Sequence, residues 1–322
     1  MTSHGLAGVR VLVTGGHGFL GRAVGDELRR VGASVVAPTH AVLELRDAGA
    51  VGRAFGEVHP AVVVHLAARV GGIGANQRQP GTFWHDNLLM GLNVLEASRA
   101  AGVGRVIVVG TVCAYPKFTP TPFRETSLWD GYPEETNAPY GVAKRALATG
   151  MAAYRAEFGL SGAYLLPANL YGPHDDFDLE SSHVIPAMIR KCEEARRRAD
   201  HEVVLWGTGT PTREFLFVED CAEAIVRAAA SIDDPDPMNL GTGREISMAD
   251  LAAKIVDATG FQGAVRWDPT RPDGQPRRVL HTGRAQYRLG WSATTALEEG
   301  LARTVAWFRA SKWALPTRAP MR

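Results

Sequence analysis

Apolar and polar positions along the chain alternate in a pattern that predicts strands and helices in turn. Stretches with the spacing of amphipathic helices separate short apolar runs, and the longest such stretch extends from about residue 81 to 101. Strands that are apolar along their whole length are typical of parallel sheets covered on both faces. The pattern therefore predicts an α/β fold, a Rossmann-like doubly wound parallel sheet. Its first strands are expected at residues 9–14, 34–37, 61–66 and 105–110.

Composition and charge argue against several classes of partner. The 322 residues are 45% hydrophobic and 21% charged, which suits one or two globular domains. The net charge is +1, so no overall field attracts nucleic acid or anionic lipid. No apolar stretch approaches the roughly 20 residues of a membrane helix, and the first residues lack an export signal. We expect a cytoplasmic protein with no nucleic-acid partner and no membrane association.

The cysteines give no sign of a metal site. Cys113, Cys192 and Cys221 are scattered along the chain. They form neither a disulfide framework nor the close spacing of metal ligands. We expect no bound metal.

A glycine motif lies between the first predicted strand and the first helix, in V-T-G-G-H-G-F-L-G. Gly15 permits the tight turn, and Gly18 lets the backbone approach a pyrophosphate. Gly21 allows close packing of the helix, whose N-terminus then faces the anion. The strand–turn–helix context favours a dinucleotide cofactor.

The identity of the dinucleotide depends on the end of the second strand. That end reads A-P-T-H-A and carries neither the acid typical of NAD binding nor an arginine. His17 and His40 are placed to meet a 2′-phosphate, which favours NADP (NADPH), with NAD as the alternative. Asp47 is expected near the adenine, and H-L-A-A follows the third strand. The expected cofactor contacts are Gly15, His17, Gly18, Phe19, Leu20, Gly21, His40, Asp47, Leu66, Ala67 and Ala68.

A tyrosine and a lysine in Y-G-V-A-K carry the first candidate chemistry. Tyr140 and Lys144 are four residues apart, which places them on one face of a helix. A lysine ammonium beside a phenol should lower the pKa of Tyr140. Such a tyrosine exchanges a proton at an oxygen while a nicotinamide exchanges hydride at the attached carbon. Thr111, where the fourth strand ends, can hold the same oxygen, so the motifs predict a dinucleotide-dependent oxidoreductase.

Together these motifs resemble the extended short-chain dehydrogenase/reductases, most of which act on nucleotide sugars. The match is closer to the GDP-L-fucose synthases, which are GDP-4-keto-6-deoxymannose 3,5-epimerase-4-reductases. It runs in family order from about residue 9 to 308. The resemblance implies a homodimer that uses NADPH to epimerise and reduce a GDP-4-keto-6-deoxy sugar. The segments that carry the resemblance are A-A-R-V-G-G-I-G-A-N, C-A-Y-P-K, E-T-N-A-P-Y-G-V-A-K, N-L-Y-G-P-H-D, S-H-V-I-P, W-G-T-G-T-P-T-R-E-F and R-P-D-G-Q-P-R.

The resemblance assigns an acid/base pair to Cys113 and His183. By itself Cys113 would be interpreted as core packing. Removing a proton α to a ketone needs a base on one face of the sugar, and inversion needs an acid on the other. Thiol and imidazole suit these roles. Thr111 and Tyr140 would hold the oxygen as the enolate forms.

Further positions follow from the same resemblance. Lys191 and Arg213 match the cations that bind the substrate diphosphate, and Arg213 can bind it bidentately. Lys191 stands where the family usually has arginine. Tyr140, Lys144, Pro167, Asn169 and Leu170 are added to the cofactor site. The implied substrate contacts are Asn169, His183, Val184, Lys191, Trp206, Arg213 and Asp273.

The pattern becomes irregular after the strand near residue 165, which predicts a second unit built from interrupted segments. The runs E-F-L-F-V and M-N-L-G-T-G are interpreted as returns to the sheet. We predict a dinucleotide-binding domain at 1–171 with returning segments at about 214–245, a smaller C-terminal α/β substrate-binding lobe at 172–213 and 246–315, and a tail at 316–322.

Departures from the family pattern keep alternatives open. Thr111 and Val112 stand where the family usually has serines, and His17 and His40 replace its usual basic residues. One alternative is an epimerase or 4-ketoreductase for a related nucleotide sugar, such as a GDP-heptose or a natural-product deoxysugar. Others are a redox-neutral epimerase or dehydratase and a catalytically silent NADP-sensing protein. The absence of an Asp-Glu pair after Thr111 argues against the dehydratase.

Overall fold

A parallel sheet forms the centre of the computed structural model, which describes residues 3–271, 273–311 and 313. The predicted tail at 316–322 lies outside the described residues. The strands are β1 (Arg10–Thr14), β2 (Ser34–Val36), β3 (Val62–His65), β4 (Arg105–Val109), β5 (Gly162–Pro167), β6 (Asn169–Tyr171), β7 (Glu202–Trp206), β8 (Thr212–Phe217), β9 (Met238–Leu240), β10 (Glu245–Ser247), β11 (Ala264–Asp268) and β12 (Arg277–Arg278). The helices are α1 (Phe19–Arg30), α2 (Ala48–Val58), α3 (Ile73–Arg78), α4 (Pro80–Ala100), α5 (Ala138–Phe158), α6 (Val184–Arg198), α7 (Val218–Ser231), α8 (Met248–Thr259), α9 (Gly283–Leu289) and α10 (Leu297–Ala310).

The central sheet has six parallel strands in the order β2-β1-β3-β4-β5-β9. Its apolar runs are buried, as the continuous patterns of β1, β3 and β4 predicted. The strand order reverses between β1 and β3, and ligands of such sheets bind outside the carboxyl ends of the strands at this point. The predicted Rossmann-like fold is confirmed.

Helices α4 and α5 pack closely against each other beside the sheet. A Cβ added at Gly91 on α4 would lie 2.4 Å from Cδ1 of Leu147 on α5. Glycine at this position therefore lets the two helices approach, and α5 is the helix that carries Tyr140 and Lys144. In the described part of the chain, no helix is long and apolar enough to span a membrane.

The second cluster of apolar residues lies apart from the core of the central sheet. It includes Phe177, Ile189 and Phe308, and it packs under α6, α8 and α10. Beside it, β8 joins β6, β10 and β12, and β7 pairs with β11. These elements supply the second wall of the cleft described below.

One of the two segments predicted to return to the central sheet does not. M-N-L-G-T-G forms β9 and pairs with β5, as expected. E-F-L-F-V instead belongs to β8, which pairs with β6, β10 and β12. The buried carboxylate of Glu214 explains part of this placement, because it accepts the backbone N–H groups of Gly243 at 2.7 Å and Leu280 at 2.6 Å.

Candidate active site

The glycine turn between β1 and α1 is in backbone contact with the end of β3. Gly15 has a φ of 73°, a conformation that side chains disfavour. A Cβ at Gly15 would lie 2.7 Å from the backbone nitrogen of Ala67, and one at Gly21 would lie 2.1 Å from the carbonyl oxygen of Gly15. Within the part of the chain that the structure describes, no side chain caps the start of α1, so its first N–H groups are available to an anion.

A cavity of about 1290 Å³ extends from this turn across the carboxyl ends of the strands to the second sheet. Among the residues predicted from the sequence, every one except Asp47 lines it. Asp47 instead caps α2, accepting the N–H of Ala50 at 3.0 Å. Aspartate is a preferred residue at this helix position.

Charged residues missed by the sequence analysis surround the predicted adenosine end of the cavity. His17 Nε2 lies 2.9 Å from the carbonyl oxygen of Ala37, and His40 Nε2 lies 3.0 Å from Glu44 Oε2. Glu44 also accepts a hydrogen bond from Arg46, which lowers the pKa of this carboxyl to about 2. Arg46 in turn faces the buried Asp86 at 3.4 Å. In the sequence, the only local indication of these charged residues was the run E-L-R-D, directly before α2.

Two asparagines hold the loop that follows β3. Asn87 accepts the N–H of Arg69 at 2.9 Å and donates to the carbonyl oxygen of the same residue at 3.0 Å. Asn76 donates to the carbonyl oxygens of Gly71 and Gly72 at 2.8 and 3.2 Å. The N–H of Gly72 donates to Ser181, two residues before His183, at 3.2 Å. The loop therefore joins the cofactor end of the cavity to the segment that carries the candidate imidazole.

Lys144 is buried beneath the cavity. Its Nζ donates to the carbonyl oxygen of Val109, where β4 ends, at 2.9 Å. Burial lowers the pKa of Lys144 to about 8. Fully buried His65 bonds through Nδ1 to Thr14 Oγ1 at 2.8 Å. Burial, followed by the charge of Lys144, lowers the pKa of His65 to about 3, so this ring is neutral.

The pKa of Tyr140 differs from the prediction. Burial raises it above the ordinary value for tyrosine, and the neighbouring Cys113 acts in the same direction. A hydrogen bond with Thr111 opposes this effect. The predicted lowering is wrong, because burial, the largest influence on the pKa of this phenol, acts in the opposite direction. Tyr140 is therefore a phenol at neutral pH.

Cys113 lies in a short 3-10 turn directly after β4. Its N–H donates to Thr111 Oγ1 at 3.2 Å, which leaves the Thr111 hydroxyl hydrogen for Tyr140 or a substrate oxygen. Arg278 Nη1 donates to Cys113 Sγ at 3.5 Å. The sequence analysis missed Arg278, which follows the last residue of the R-P-D-G-Q-P-R motif.

His183 precedes the first turn of α6 and faces the cavity. The surrounding protein lowers the pKa of its imidazole, while the charge of Asp176 acts in the opposite direction. Asp176 is held by the Ser181 hydroxyl at 2.5 Å. The thiol and the imidazole thus line one cavity from different elements.

The cations predicted to bind the diphosphate lie on the second wall. Arg213 donates to the backbone carbonyls of Thr212 at 2.8 Å and Asp273 at 3.2 Å. Burial, followed by the charge of Arg278, lowers the pKa of Arg213 to about 10. Lys191 Nζ donates to the carbonyl oxygen of Val204 at 3.0 Å, and burial lowers its pKa.

The remaining predicted substrate contacts are also placed in this region. The Asp273 carboxylate accepts the N–H and hydroxyl of Thr208 at 2.8 and 2.9 Å, so it fixes the W-G-T-G loop. Trp206 is 60% exposed, and the guanidinium of Arg271 lies 5.0 Å from its ring centroid. Asn169 donates to the carbonyl oxygen of Glu214 at 2.8 Å. Trp206 therefore offers an open aromatic face, whereas the side chains of Asp273 and Asn169 already have partners.

Known proteins share both the sequence and the fold. Residues 11–241 match the NAD dependent epimerase/dehydratase family. The chain is 40% identical over 303 residues to the probable GDP-L-fucose synthase 1 of Oryza sativa subsp. japonica, covering 94% of this chain and 92% of that protein. It is 37% identical over 309 residues to the GDP-L-fucose synthase of Escherichia coli strain K12, covering 93% of this chain and 96% of that protein.

Solved structures agree with this grouping. A GDP-L-fucose synthetase from Naegleria fowleri bound to NADP superposes with a TM-score of 0.86 at 30% identity, covering 94% of this chain and 93% of that one. A GDP-6-OMe-4-keto-L-xylo-heptose reductase from C. jejuni superposes with a TM-score of 0.89 at 25% identity, covering 96% of this chain and 99% of that one.

Proposed function

Because the chain belongs to the NAD dependent epimerase/dehydratase family, and within it to the GDP-L-fucose synthases, we propose that it is an NADPH-dependent epimerase-reductase for a GDP-4-keto-6-deoxy sugar. One observation carries the proposal. Cys113 and His183 line the same cavity as Thr111, Tyr140 and the glycine turn. A plain ketoreductase has no use for a thiol and an imidazole in addition to the hydroxyl pair.

The residues present fit NADPH. The Gly15 and Gly21 positions leave no room for a Cβ, so the turn brings backbone N–H groups close to where a pyrophosphate binds. Near the predicted ribose phosphate, His17, His40 and Arg46 line the cavity. When bound, the nicotinamide supplies the hydride that reduces carbon 4 of the sugar.

Epimerisation requires exchange of the protons at carbons 3 and 5, which are both α to the ketone. Cys113 removes each proton as a thiolate, and the electron pair of the broken C–H bond moves into an enolate. Thr111 and Tyr140 hold the enolate oxygen by hydrogen bonds as charge develops there. His183 delivers a proton from the opposite face, and the charge of Asp176 opposes, without reversing, the lowering of the imidazole pKa by the surrounding protein.

Reduction uses the phenol of Tyr140. The raised pKa of Tyr140 keeps the phenol protonated, so it can donate to the ketone oxygen as hydride reaches carbon 4. Lys144, fixed by Val109, lies one helical turn further along α5. Its ammonium group stabilises the phenolate that forms.

We assign the substrate diphosphate to Arg213 and Lys191 on the second wall. Among the described residues, the half-buried guanidinium of Arg213 bonds only to backbone carbonyls, so its charge is available to an anion. The resemblance also implies a homodimer joined through α4 and α5, and Trp84 and Phe158 on these helices are 45% and 47% exposed. We place the enzyme in the cytoplasm and retain the division into a cofactor domain and a substrate lobe.

The stoichiometry of NADPH consumption tests the proposal. Purified protein is mixed with GDP-4-keto-6-deoxymannose and excess NADPH, and absorbance at 340 nm and the product are followed. We expect one NADPH oxidised for each sugar converted, with GDP-L-fucose as product. Conversion of the sugar without loss of NADPH would instead support a redox-neutral epimerase, and tight binding of NADPH with no turnover would support the sensor.

A GDP-heptose is the second candidate substrate. The observation that favours it is the close superposition with the C. jejuni heptose reductase. Parallel assays with a GDP-4-keto-heptose decide between the two, because the true substrate should have the higher kcat/KM.

A further inference from the structure

Arg278 is a buried cation that has no acidic partner among the described residues. The residue lies on β12 and is 8% exposed. Among the described residues, no carboxylate forms an ion pair with it, whereas the adjacent Arg277 pairs with Glu245 at the surface. A buried charge is costly unless it is compensated. The group that Arg278 Nη1 faces is Cys113 Sγ, at 3.5 Å.

Gln275 fixes the guanidinium in this position. Its Oε1 accepts from Arg278 Nε at 3.1 Å, and its Nε2 donates to the carbonyl oxygen of Lys117 at 2.7 Å. Gln275 is 6% exposed, so water competes little for these bonds. Lys117 ends the C-A-Y-P-K segment that begins with Cys113. The buried amide thus joins the two segments that carry the thiol and the guanidinium.

The main chain adds a second restraint. Arg278 pairs with Arg213 across β12 and β8, and Phe123 N–H donates to the next residue, Val279, at 2.8 Å. The position of the guanidinium is therefore fixed both by the main-chain pairing of Arg278 and by the hydrogen bond of its side chain to Gln275. This arrangement favours an anion at Cys113 Sγ.

We propose that Arg278, positioned by Gln275, stabilises the Cys113 thiolate and thereby supports the proton-abstraction half of the reaction; this inference rests on the proposed function. When the thiolate takes the α proton, the C–H electron pair moves to the enolate oxygen and the sulfur becomes a neutral thiol. The negative charge thus moves from the contact with Arg278 to the contact with Thr111 and Tyr140. Hydride transfer to carbon 4 does not involve the sulfur.

Other charged and titratable groups face this region and act on the thiol as well. Arg213 approaches from β8, and Tyr140 approaches from α5. Glu134 from the segment before α5 and His183 from the start of α6 line the same cavity. The test therefore changes Arg278 and Gln275 while leaving these groups in place.

The pH profile of alkylation measures the thiolate directly. Iodoacetamide reacts with thiolates. Cys192 and Cys221 are 2% and 0% exposed, so the rate of alkylation of the folded protein measures the reactivity of Cys113. Peptide mass spectrometry confirms the site. At pH 6.5 we expect the Arg278→Met variant to react about tenfold more slowly than the parent. At pH 10, where ordinary thiols are ionised, the two rates should agree within about twofold.

Matched variants separate this role from a structural one. Gln275→Met should also slow alkylation at pH 6.5, but by a smaller factor than Arg278→Met. Arg278→Lys should react faster than Arg278→Met, because it keeps a positive charge. Arg277→Met, the exposed neighbour on β12, should behave like the parent. In deuterium oxide, Arg278→Met should slow solvent deuterium entry into the sugar about tenfold while NADPH affinity is unchanged.

Two results would overturn the proposal. One is an alkylation profile of Arg278→Met that follows the parent at every pH. The other is a variant that raises only the KM for the sugar, which would make Arg278 a substrate contact. The alkylation assay needs no sugar, so it can succeed even if the proposed substrate is wrong.

Discussion

A Cβ at Gly141 would lie 2.5 Å from the carbonyl oxygen of Cys113. The helix that carries Tyr140 is therefore in backbone contact with the turn that carries the candidate base. No side chain fits between them, and the contact sets the distance between the phenol and the thiol. The glycine in Y-G-V-A-K thus has a steric reason in the site itself.

We predict that Gly141→Ala separates these elements and lowers both half-reactions. Displacements of about 1 Å in an active site can cost about 100-fold in rate, so a loss of kcat between about 10-fold and 100-fold is expected. The measurement is kcat for sugar reduction together with the rate of deuterium entry. Gly52→Ala on α2 is the control, because a Cβ there meets none of the described residues within 4 Å. A Gly141→Ala enzyme with parental kcat would contradict the contact argument.

Removing the thiol should separate epimerisation from cofactor binding. Cys113→Ser keeps a hydrogen-bonding group beside Arg278 but replaces the thiol with a weakly acidic hydroxyl. We expect solvent deuterium entry at carbons 3 and 5 to fall by about 10²- to 10⁴-fold, the usual contribution of an acid/base group. The measurement is proton NMR of the sugar, with NADPH affinity as the control. Unchanged exchange would remove Cys113 from the mechanism.

Removing the phenol should slow the reduction of the ketone more than the exchange of the sugar protons. In Tyr140→Phe the proton donor to the ketone oxygen is lost, so NADPH oxidation should fall by about 10²- to 10⁴-fold. Deuterium entry should fall less, because Thr111 still holds the enolate oxygen. Stopped-flow absorbance at 340 nm and NMR exchange give the two rates on the same preparation. Equal losses in both rates would show that Tyr140 serves the two steps alike.

The buried carboxyl of Asp175 gives a prediction about stability. Burial raises the pKa of Asp175 to about 8, and its Oδ2 has no hydrogen-bond partner among the described residues. The pKa of an aspartate in an unfolded chain is about 3.9. Between these values the folded state binds a proton that the unfolded state does not, so the free energy of unfolding falls as pH rises.

Asp175→Asn should remove this dependence, since asparagine stays neutral. The stability advantage of the variant should grow by up to about 1.4 kcal/mol per pH unit from about pH 4 to pH 8 and then level off. Urea unfolding at several pH values measures it. The exposed Asp130→Asn is the control. An advantage that does not change with pH would show that Asp175 is ionised in the folded state throughout.

Local patterns were sufficient for most of the fold. The apolar runs of β1, β3 and β4 and the long helix α4 were predicted close to their observed bounds, because burial on both faces leaves a continuous apolar signal. The same apolar signal led to the wrong prediction that E-F-L-F-V returns to the central sheet. Its apolar residues form β8 of the second sheet, and the choice of partner strands depends on contacts with β10 and β12 that lie far away in sequence.

The candidate site shows the same limit. Motif positions led to Cys113, Tyr140 and His183, which line one cavity. Arg278 and Gln275 were missed, because their contacts with the cysteine segment span more than 150 residues. The pKa of Tyr140 was predicted with the wrong sign because spacing on a helix does not reveal burial. Asp47 could have been assigned from the sequence as a helix cap.

The most direct test of the account follows the sugar protons in deuterium oxide. The protein is incubated with GDP-4-keto-6-deoxymannose, with and without NADPH, and the product is examined by proton NMR and mass spectrometry. We expect deuterium at carbons 3 and 5 without NADPH, and a reduced L-fuco product carrying both deuterium atoms when NADPH is added. A reduced product with neither deuterium atom would contradict this expectation and make the protein a ketoreductase without epimerase activity.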